Sequence, residues 1–188
     1  LRAKASVPTI EGRTITALGA ERGAELGAAI ATTSTDAAHD ARPRGARFGT
    51  LVHLALSEVP FDAHADAIDT LVRAHARLIG ATDEERDAAV RAVGSALAHP
   101  LLVRAAAAER VRREVPLVLA LADGTVAEGV ADLAFEERDA EGSRWTVVDY
   151  KTDLADGADE SYRGQIALYV EAIHAATGAP AEGILLGV

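Results

Sequence analysis

The sequence predicts an α/β domain, and three observations carry this prediction. Apolar residues recur at helical spacing through the first half of the 188-residue chain, strand-like segments separated by turns follow, and one more helix precedes a last strand. Strands joined by short turns pair antiparallel, whereas a helix between two strands allows a crossover. We therefore expect helices followed by a largely antiparallel meander with one crossover.

The N-terminal part of the chain has the least regular pattern. Residues 1–43 are rich in Gly, Ala, Ser and Thr, a composition typical of linkers. We expect an irregular segment there, with one helix at 17–31. The segment 44–59 is apolar on nearly every side, with Phe48 and Val52 at helical spacing. A helix of this kind is usually buried.

Three further helices are expected before the strands. The segments 62–80 and 82–100 have helical patterns, and the first of them is amphipathic. Thr82 and Glu85 have the spacing of a capping box, in which each side chain bonds the other residue's backbone N–H at a helix start. A short helix is expected at 100–109, because Pro is favoured in the first turn of a helix.

The second half of the chain has the pattern of strands and turns with one helix. Turn residues separate apolar and β-branched runs, and a stripe of Ile and Tyr residues at helical spacing ends at Gly178. The expected elements are strands at 112–121, 125–137 and 144–152, a helix at 158–178 and a strand at 182–188.

Composition excludes several kinds of site. The chain has no Cys, which excludes disulfides, zinc held by thiolates and iron–sulfur clusters. Neither of its two lysines, Lys4 and Lys151, stands in a P-loop, so we expect no ATP site of that kind. The sequence has no apolar run of membrane-helix length and no secretory signal, which favours a cytoplasmic protein without a membrane partner. It also has no Met, so we expect a piece of a longer protein.

Charge gives two opposite indications about nucleic acid. The net charge of −10 argues against broad electrostatic binding to a phosphate backbone. Arginines nevertheless cluster at two places, either as ordinary solvated side chains or as guides for a phosphate backbone beside an acidic site. The clusters are Arg42, Arg44 and Arg47, and Arg110, Arg112 and Arg113.

Acidic residues near the ends of two neighbouring strands can form a site. Asp132 lies in the second expected strand and Asp149 in the third, so hairpin pairing would bring the two carboxylates together. Such pairing is unfavourable unless a cation lies between them, and carboxylates with water suit Mg²⁺. Lys151 projects to the same face as Asp149, where it can stabilise charge on phosphorus or help deprotonate water. Asp-x-Lys alone is more often a surface ion pair, so the interpretation depends on both strands.

Four other polar residues are candidates. His53 lies on an apolar helix and is either a satisfied core residue or a ligand. Gln165 and Tyr169 share one face of the last helix; packing explains Tyr169, whereas the Gln165 amide can hold a phosphate or orient Lys151. Glu114 is either a support of the site or a surface charge. The remaining histidines are expected at the surface.

Four segments of the chain resemble a known family. The segments GARFGTLVHLAL, REVPLVLALADGTVAEGVADLAFEE, WTVVDYKTD and YRGQIALYVEAI, in this order, resemble the RecB-like nuclease domain of the PD-(D/E)XK superfamily. The resemblance is strongest to the C-terminal domain of AddA- and RecB-type helicase–nucleases, the exonuclease V class. It implies a restriction-endonuclease-like αβββαβ core with extra N-terminal helices at 44–188, after a linker at 1–43. Without Cys, the chain would belong to the branch that has no iron–sulfur cluster.

The resemblance also implies roles for the candidate residues. Glu114 matches a recurrent glutamate, and its role stays open. The other roles are the metal ligands His53, Asp132, Asp149 and Tyr150 (through its backbone carbonyl), the catalytic residues Asp132, Asp149 and Lys151, and the DNA-binding residues Gln165 and Tyr169.

The function implied in this way is that of a Mg²⁺-dependent deoxyribonuclease in which Mn²⁺ can substitute. It would hydrolyse linear single-stranded DNA fed by an upstream helicase module, alone or with a second helicase–nuclease chain, in double-strand-break processing and recombinational repair. Two alternatives stay open at this stage. One is a non-catalytic DNA-binding or docking module of a helicase complex, and the other is a structure- or sequence-specific endonuclease on the same core.

Overall fold

A computed structural model of the protein describes residues 11–26, 30–39, 43–140, 142–154 and 160–188. In these residues, no helix has the length and apolar character needed to cross a bilayer. The strands are β1 (Glu11–Thr14), β2 (Ala31–Ser34), β3 (Arg110–Ala120), β4 (Thr125–Asp139), β5 (Gly142–Lys151) and β6 (Ala181–Gly187). The helices are α1 (Ile15–Leu26), α2 (Ala46–Glu58), α3 (Ala65–Ile79), α4 (Asp83–Ala98), α5 (Pro100–Ala107) and α6 (Glu160–Thr177), with a 3-10 helix at Asp36–His39.

The sheet has the expected meander and crossover. Strands β3, β4 and β5 pair antiparallel in sequence order, and α6 carries the chain to β6, which pairs parallel with β5. The order α2, β3–β5, α6, β6 is the αβββαβ order of a restriction-endonuclease-like core, so the predicted α/β fold class is confirmed. The expected capping box is also present at the start of α4, where Thr82 and Glu85 bond each other's backbone N–H.

Strand β4 has more partners than its two neighbours in the meander. Strand β3 takes one edge of β4 along residues 126–136. The other edge is shared, because β1 pairs there with residues 125–128 and β5 with residues 133–139. Residues 129–132 therefore face no strand on that edge within the described chain. We call this gap the sheet fork, and Asp132 lies at its end.

Helices cover both faces of the sheet and bury two cores. Helices α2 to α5 cover one face, and α1 and α6 cover the other. Each large apolar side chain buried in this way contributes roughly 1.5–3 kcal/mol. The first group, the helical core, includes Phe48, Leu51, Val72, Val93, Leu133, Phe135, Val148 and Tyr150. The second group, the crossover core, includes Ile15, Leu117, Ala131, Val147, Ile166, Leu168 and Tyr169.

In β3 and in β4, the buried side chains switch from one face of the sheet to the other, and the two switches lie at paired positions of these strands. In β3, Val111 packs on the helical core, whereas Leu117 packs on the crossover core, although an even spacing should place both on one face. The alternation is interrupted at Glu114, the only non-glycine residue with a positive φ (49°) in the described part of the chain. In β4 the change occurs between Ala131 and Leu133. Both interruptions fall at predicted site residues.

The expectation of an irregular N-terminal segment is wrong for residues 11–26 and 30–39. This part contains β1, α1, β2 and the 3-10 helix, and the helix expected at 17–31 lies at Ile15–Leu26. The physical reason is that these elements depend on distant partners: β1 pairs with β4, and β2 with β6. Helix α1 packs on α6 through Gly19 and Gly23, which give no hydrophobic stripe. Residues 1–10, 27–29 and 40–42 lie outside the described residues.

Candidate active site

Three acidic residues from three adjacent strands lie in one rank of the sheet. The pairs on either side place Glu114 of β3 opposite Asp132 of β4. The last pair of β4 and β5 is Leu133 with Val148, so the next rank places Asp149 beside Asp132. The expected approach of Asp132 and Asp149 through the hairpin is thus present in the register. The site lies at the end of the sheet fork, next to the first pair of β4 with β5.

Asp132 links three elements through its two carboxylate oxygens. Its Oδ1 lies 3.2 Å from Nδ1 of His53 on α2. Its Oδ2 accepts the backbone N–H of Tyr150 at 2.6 Å, where β5 leaves the ladder with β4. A side-chain oxygen therefore takes the place of a strand carbonyl at the fork. This arrangement fixes the carboxylate between α2 and β5.

Asp149 is buried and forms an ion pair with Lys151. Its Oδ2 lies 2.5 Å from the Lys151 Nζ, and the two side chains are only 4% and 14% exposed. An ordinary surface ion pair is therefore excluded for this Asp-x-Lys. Burial, followed by the charge of Asp132, raises the pKa of Asp149 to about 6, although the Lys151 ammonium acts in the opposite direction.

The pKa of His53 responds to the same negative charges. Burial by itself would lower its pKa, but the hydrogen bond and charge of Asp132, together with the charge of Asp149, raise the pKa above its ordinary value. Because His53 has a polar partner, it is not a lone histidine in an apolar core. The interaction places an imidazole nitrogen and a carboxylate at one wall of a cavity.

That cavity has a volume of about 560 Å³ and lies on the α2 side of the fork. Its acidic lining residues are Asp132 and Glu114. Burial raises the pKa of Glu114, the charge of Asp132 raises it further, and His53 partly offsets the shift. Strained backbone of the kind seen at Glu114 is concentrated at functional sites. Glu114 is therefore part of the site wall, which answers in part the question of its role.

Asp149 and Lys151 approach from the other face of the sheet. Val148 and Tyr150 pack on the helical core, so the alternation of β5 turns Asp149 and Lys151 towards α6. The Tyr150 ring is buried, and burial raises the pKa of its hydroxyl far above the ordinary value. The structure thus brings His53, Asp132 and Glu114 to one cavity, and Asp149 with Lys151 to the opposite side, with Asp132 between them.

Gln165 and Tyr169 lie together beneath the fork. The Gln165 Nε2 donates to the Tyr169 hydroxyl at 2.9 Å. Burial raises the pKa of Tyr169 to about 12, and hydrogen bonds from Gln165 and the backbone of Val130 act against this shift. A Cβ on Gly129 would lie 2.7 Å from the Tyr169 ring, so glycine at this position leaves the space that the ring occupies.

The predicted DNA-binding role of this pair stays a prediction. Gln165 is 8% exposed and Tyr169 is 2% exposed, so neither side chain presents a surface to DNA in this arrangement. Their contacts are instead with each other and, through the Tyr169 ring and hydroxyl, with Gly129 and Val130 of β4. These contacts support strand β4 at the fork.

The donor set of the site fits a hard divalent cation. One imidazole nitrogen and two carboxylates, with no thiolate in the chain, are ligands that suit Mg²⁺ or Mn²⁺. Burial is the main cause of the raised pKa of Asp149 and the charge of Asp132 the second, and a cation between the two carboxylates would neutralise that charge. In the described residues, however, no group of three or more His, Asp or Glu side chains already has the spacing of a metal site. Both Asp132 oxygens are engaged within the protein.

The arginine clusters are used mostly for structure. Arg47 bonds the capping-box residue Glu85 at 2.9 Å, and Arg110 pairs with the buried Glu136 at 3.2 Å. Arg113 lies 4.0 Å from the centre of the Phe61 ring. It also donates to backbone carbonyls at the end of α2. At these three positions the contacts are structural, the role as guides for a phosphate backbone stays a prediction, and Arg42 lies outside the described residues.

Sequence reasoning missed several contacts of the site. It treated Arg113 only as a member of an arginine cluster, whereas this residue ties the C-terminal end of α2 to the strand of Glu114. It placed His75 at the surface, whereas this residue is 7% exposed and lies 3.3 Å from Glu58. Only the apolar surroundings of His75 in an amphipathic helix could have indicated burial. Neither the Arg113 contact nor the positive φ of Glu114 has a sequence signal.

Comparison with known proteins agrees with this arrangement. The model of a family described as the PD-(D/E)XK nuclease superfamily matches residues 22–188 of the chain. An ATP-dependent helicase/nuclease subunit of Anoxybacillus flavithermus (strain DSM 21510 / WK1) is 33% identical over 141 residues. The matched part covers 68% of this chain but only 11% of that protein, so the chain spans a small fraction of this relative.

Proposed function

Because this chain belongs to the PD-(D/E)XK nuclease superfamily, we propose that it is a Mg²⁺-dependent deoxyribonuclease of the exodeoxyribonuclease V type. The observation that carries the proposal is the rank of acidic residues at the sheet fork, with Asp132 and Asp149 side by side between His53 and Lys151. A rank of like charges costs stability, and a protein retains such a cost mainly where function needs it.

The proposed ligands are His53, Asp132, Asp149 and the backbone carbonyl of Tyr150. A divalent ion held there would supply charge neutralisation at a scissile phosphate and a water of lowered pKa. The protein itself fixes the ligands before any ion arrives. Asp132 is oriented by His53 and by the Tyr150 N–H, and Asp149 is held by strand β5 and by Lys151.

Lys151 has the proposed role of the charged group that faces the phosphate. Phosphodiester hydrolysis concentrates negative charge on the phosphoryl oxygens, so catalysis depends chiefly on electrostatic stabilisation and positioning. The Lys151 ammonium lies 2.5 Å from Asp149, which limits its movement and keeps its charge next to the proposed ligands.

We further propose linear single-stranded DNA, delivered by a helicase module, as the substrate. This part of the proposal is supported by the name of the matched relative, a helicase/nuclease subunit of which the chain covers 11%. A net charge of −10 also fits a domain whose grip on DNA is supplied largely by another module. The corresponding cellular role is double-strand-break processing and recombinational repair in the cytoplasm, and a second helicase–nuclease chain is a further proposed partner.

The test is cleavage of end-labelled linear single-stranded DNA with Mg²⁺ or Mn²⁺. We expect cleavage by the unmodified protein, its loss in Asp149→Ala, and no change in Asp62→Ala, an exposed acidic residue far from the fork in sequence. If closed circular DNA is cleaved at defined sites as well as linear DNA is, the protein is an endonuclease and not an exonuclease. No cleavage by the unmodified protein, also when fused to its natural neighbouring module, would overturn the nuclease proposal.

A non-catalytic DNA-binding or docking module is the second candidate. The observation that favours it is the engagement of both Asp132 oxygens within the protein, together with the lack of a ready-made group of three acidic or histidine ligands in the described chain. Binding of single-stranded DNA without cleavage, unaffected by Asp149→Ala, would support this candidate against the nuclease.

A further inference from the structure

The Lys151 ammonium has a second neighbour besides Asp149. Its Nζ lies 4.4 Å from the centre of the Tyr162 ring, which belongs to the first turn of α6. The ammonium therefore lies between a carboxylate and an aromatic face. A cation at this distance from a ring is attracted by the negative charge of its face.

Tyr162 is in turn held by Asp153. The Tyr162 hydroxyl donates to the Asp153 Oδ2 at 2.9 Å. Asp153 follows Lys151 by two residues, just beyond the end of β5, so one contact joins the end of the strand to the start of α6. An aspartate with this contact is more than the solvated surface charge that its exposed position indicates.

A lysine needs such a support if its charge is to stay at one place. Its four-carbon side chain has many rotamers, and holding it in one of them costs conformational entropy. A carboxylate alone attracts the ammonium but leaves the direction of approach open. A ring on the other side excludes the rotamers that point away from Asp149, because the ammonium then has a favourable contact on both sides.

We propose that Tyr162 is a positioning residue that holds the Lys151 ammonium against Asp149, and that Asp153 keeps the Tyr162 ring in place. This inference rests on the proposed nuclease function for its catalytic consequence, whereas the contact itself is independent of it. The ring carries the effect and the hydroxyl only orients the ring. Phe at position 162 therefore preserves the support, and Leu removes it.

The contact is tested by NMR of the lysine side chain in the metal-free protein. The chain has only two lysines. In a protein with labelled lysine, Lys4→Arg therefore leaves Lys151 as the one source of side-chain signals. We expect the ε-CH₂ protons of Lys151 to be shifted upfield by the Tyr162 ring. The shift should persist in Tyr162→Phe and vanish in Tyr162→Leu. Two results would overturn the proposal. One is a Lys151 signal at the ordinary lysine position in the protein that carries only Lys4→Arg, and the other is a signal that does not change when Tyr162→Leu is added.

The catalytic consequence is tested by the kinetics of DNA cleavage. Tyr162→Leu should lower kcat by about 10- to 100-fold with little change in KM, because a misplaced reacting group affects the chemical step. Tyr162→Phe should retain most of kcat, and Asp153→Asn, whose amide oxygen can still accept the Tyr162 hydroxyl, should also stay close to the unmodified protein. Equal losses in the Phe and Leu variants would mean that the ring does not position Lys151. If the unmodified protein does not cleave DNA, the nuclease proposal fails, whereas the NMR result still decides whether the ring holds Lys151.

Discussion

The carboxylate of Asp132 accepts the backbone N–H of Tyr150 at 2.6 Å, at the place where β5 separates from β4. A side chain from one strand thus completes the hydrogen bonding of the next strand beyond their last ladder pair. The same contact brings the Asp149 peptide next to the Asp132 charge. Folding and the chemistry of the site are therefore coupled through one carboxylate.

Asp149 should make the metal-free protein less stable at alkaline pH. Its pKa in the fold is about 6 against an ordinary value of 3.8, so the fold favours the protonated form. This contribution to stability is complete below about pH 4 and is lost as pH rises through 6. Asp149→Asn removes the charge and should raise the free energy of unfolding at pH 8 by about 1–3 kcal/mol.

The measurement is denaturant unfolding with a chelator at several pH values between 4 and 8. The exposed Asp62→Asn serves as the matched control and should follow the unmodified protein throughout. If Asp149→Asn shows the same pH dependence as the unmodified protein, Asp149 is not the buried acid described above.

Gly19 should be required for the contact of α1 with α6. A Cβ at this position would lie 2.4 Å from the backbone nitrogen of Gln165, and backbone cannot give way as a flexible side chain does. Gly19→Ala should therefore destabilise the protein by roughly 1–3 kcal/mol. Gly94→Ala is the control, because a Cβ added at this position would have nothing within 4 Å. Alanine in a helix interior should stabilise the protein by up to about 1 kcal/mol. Denaturation of the two variants should move in opposite directions, and a neutral Gly19→Ala would rule out the close packing.

Tyr169→Phe should weaken the fork without removing a DNA contact. The hydroxyl accepts from Gln165 and from the backbone of Val130, so its loss leaves the buried Gln165 amide and the Val130 backbone without this acceptor. We expect a destabilisation of about 1–3 kcal/mol and an unchanged affinity for single-stranded DNA. The checks are unfolding and fluorescence anisotropy with labelled DNA. A loss of affinity in a protein of unchanged stability would show instead that Tyr169 contacts DNA directly.

The sequence was informative wherever local physics decides the structure. Helical periodicity, the Thr82–Glu85 capping box and the short turns between β3, β4 and β5 are local signals, and these elements lie where they were expected. The pairing of Asp149 with Lys151 followed from the two-residue period of a strand. The family resemblance read from the motifs is confirmed for the superfamily.

The remaining features depend on contacts between distant parts of the chain. Strands β1 and β2 are four residues long, and their hydrogen-bond partners lie more than a hundred residues away. No sequence signal marks the positive φ of Glu114 or the ring of Tyr162 above Lys151. Such features arise from packing and strain at the site, where local rules are expected to fail.

The most direct test of the central claim is metal-dependent cleavage of linear single-stranded DNA by Asp132→Asn. The amide oxygen can still accept the Tyr150 N–H, so the variant should fold with a similar Tm, while the charge needed to hold a divalent ion is lost. The account predicts cleavage by the unmodified protein in Mg²⁺ or Mn²⁺ and a loss of about 100-fold or more in Asp132→Asn. Undiminished cleavage by a folded Asp132→Asn would contradict it.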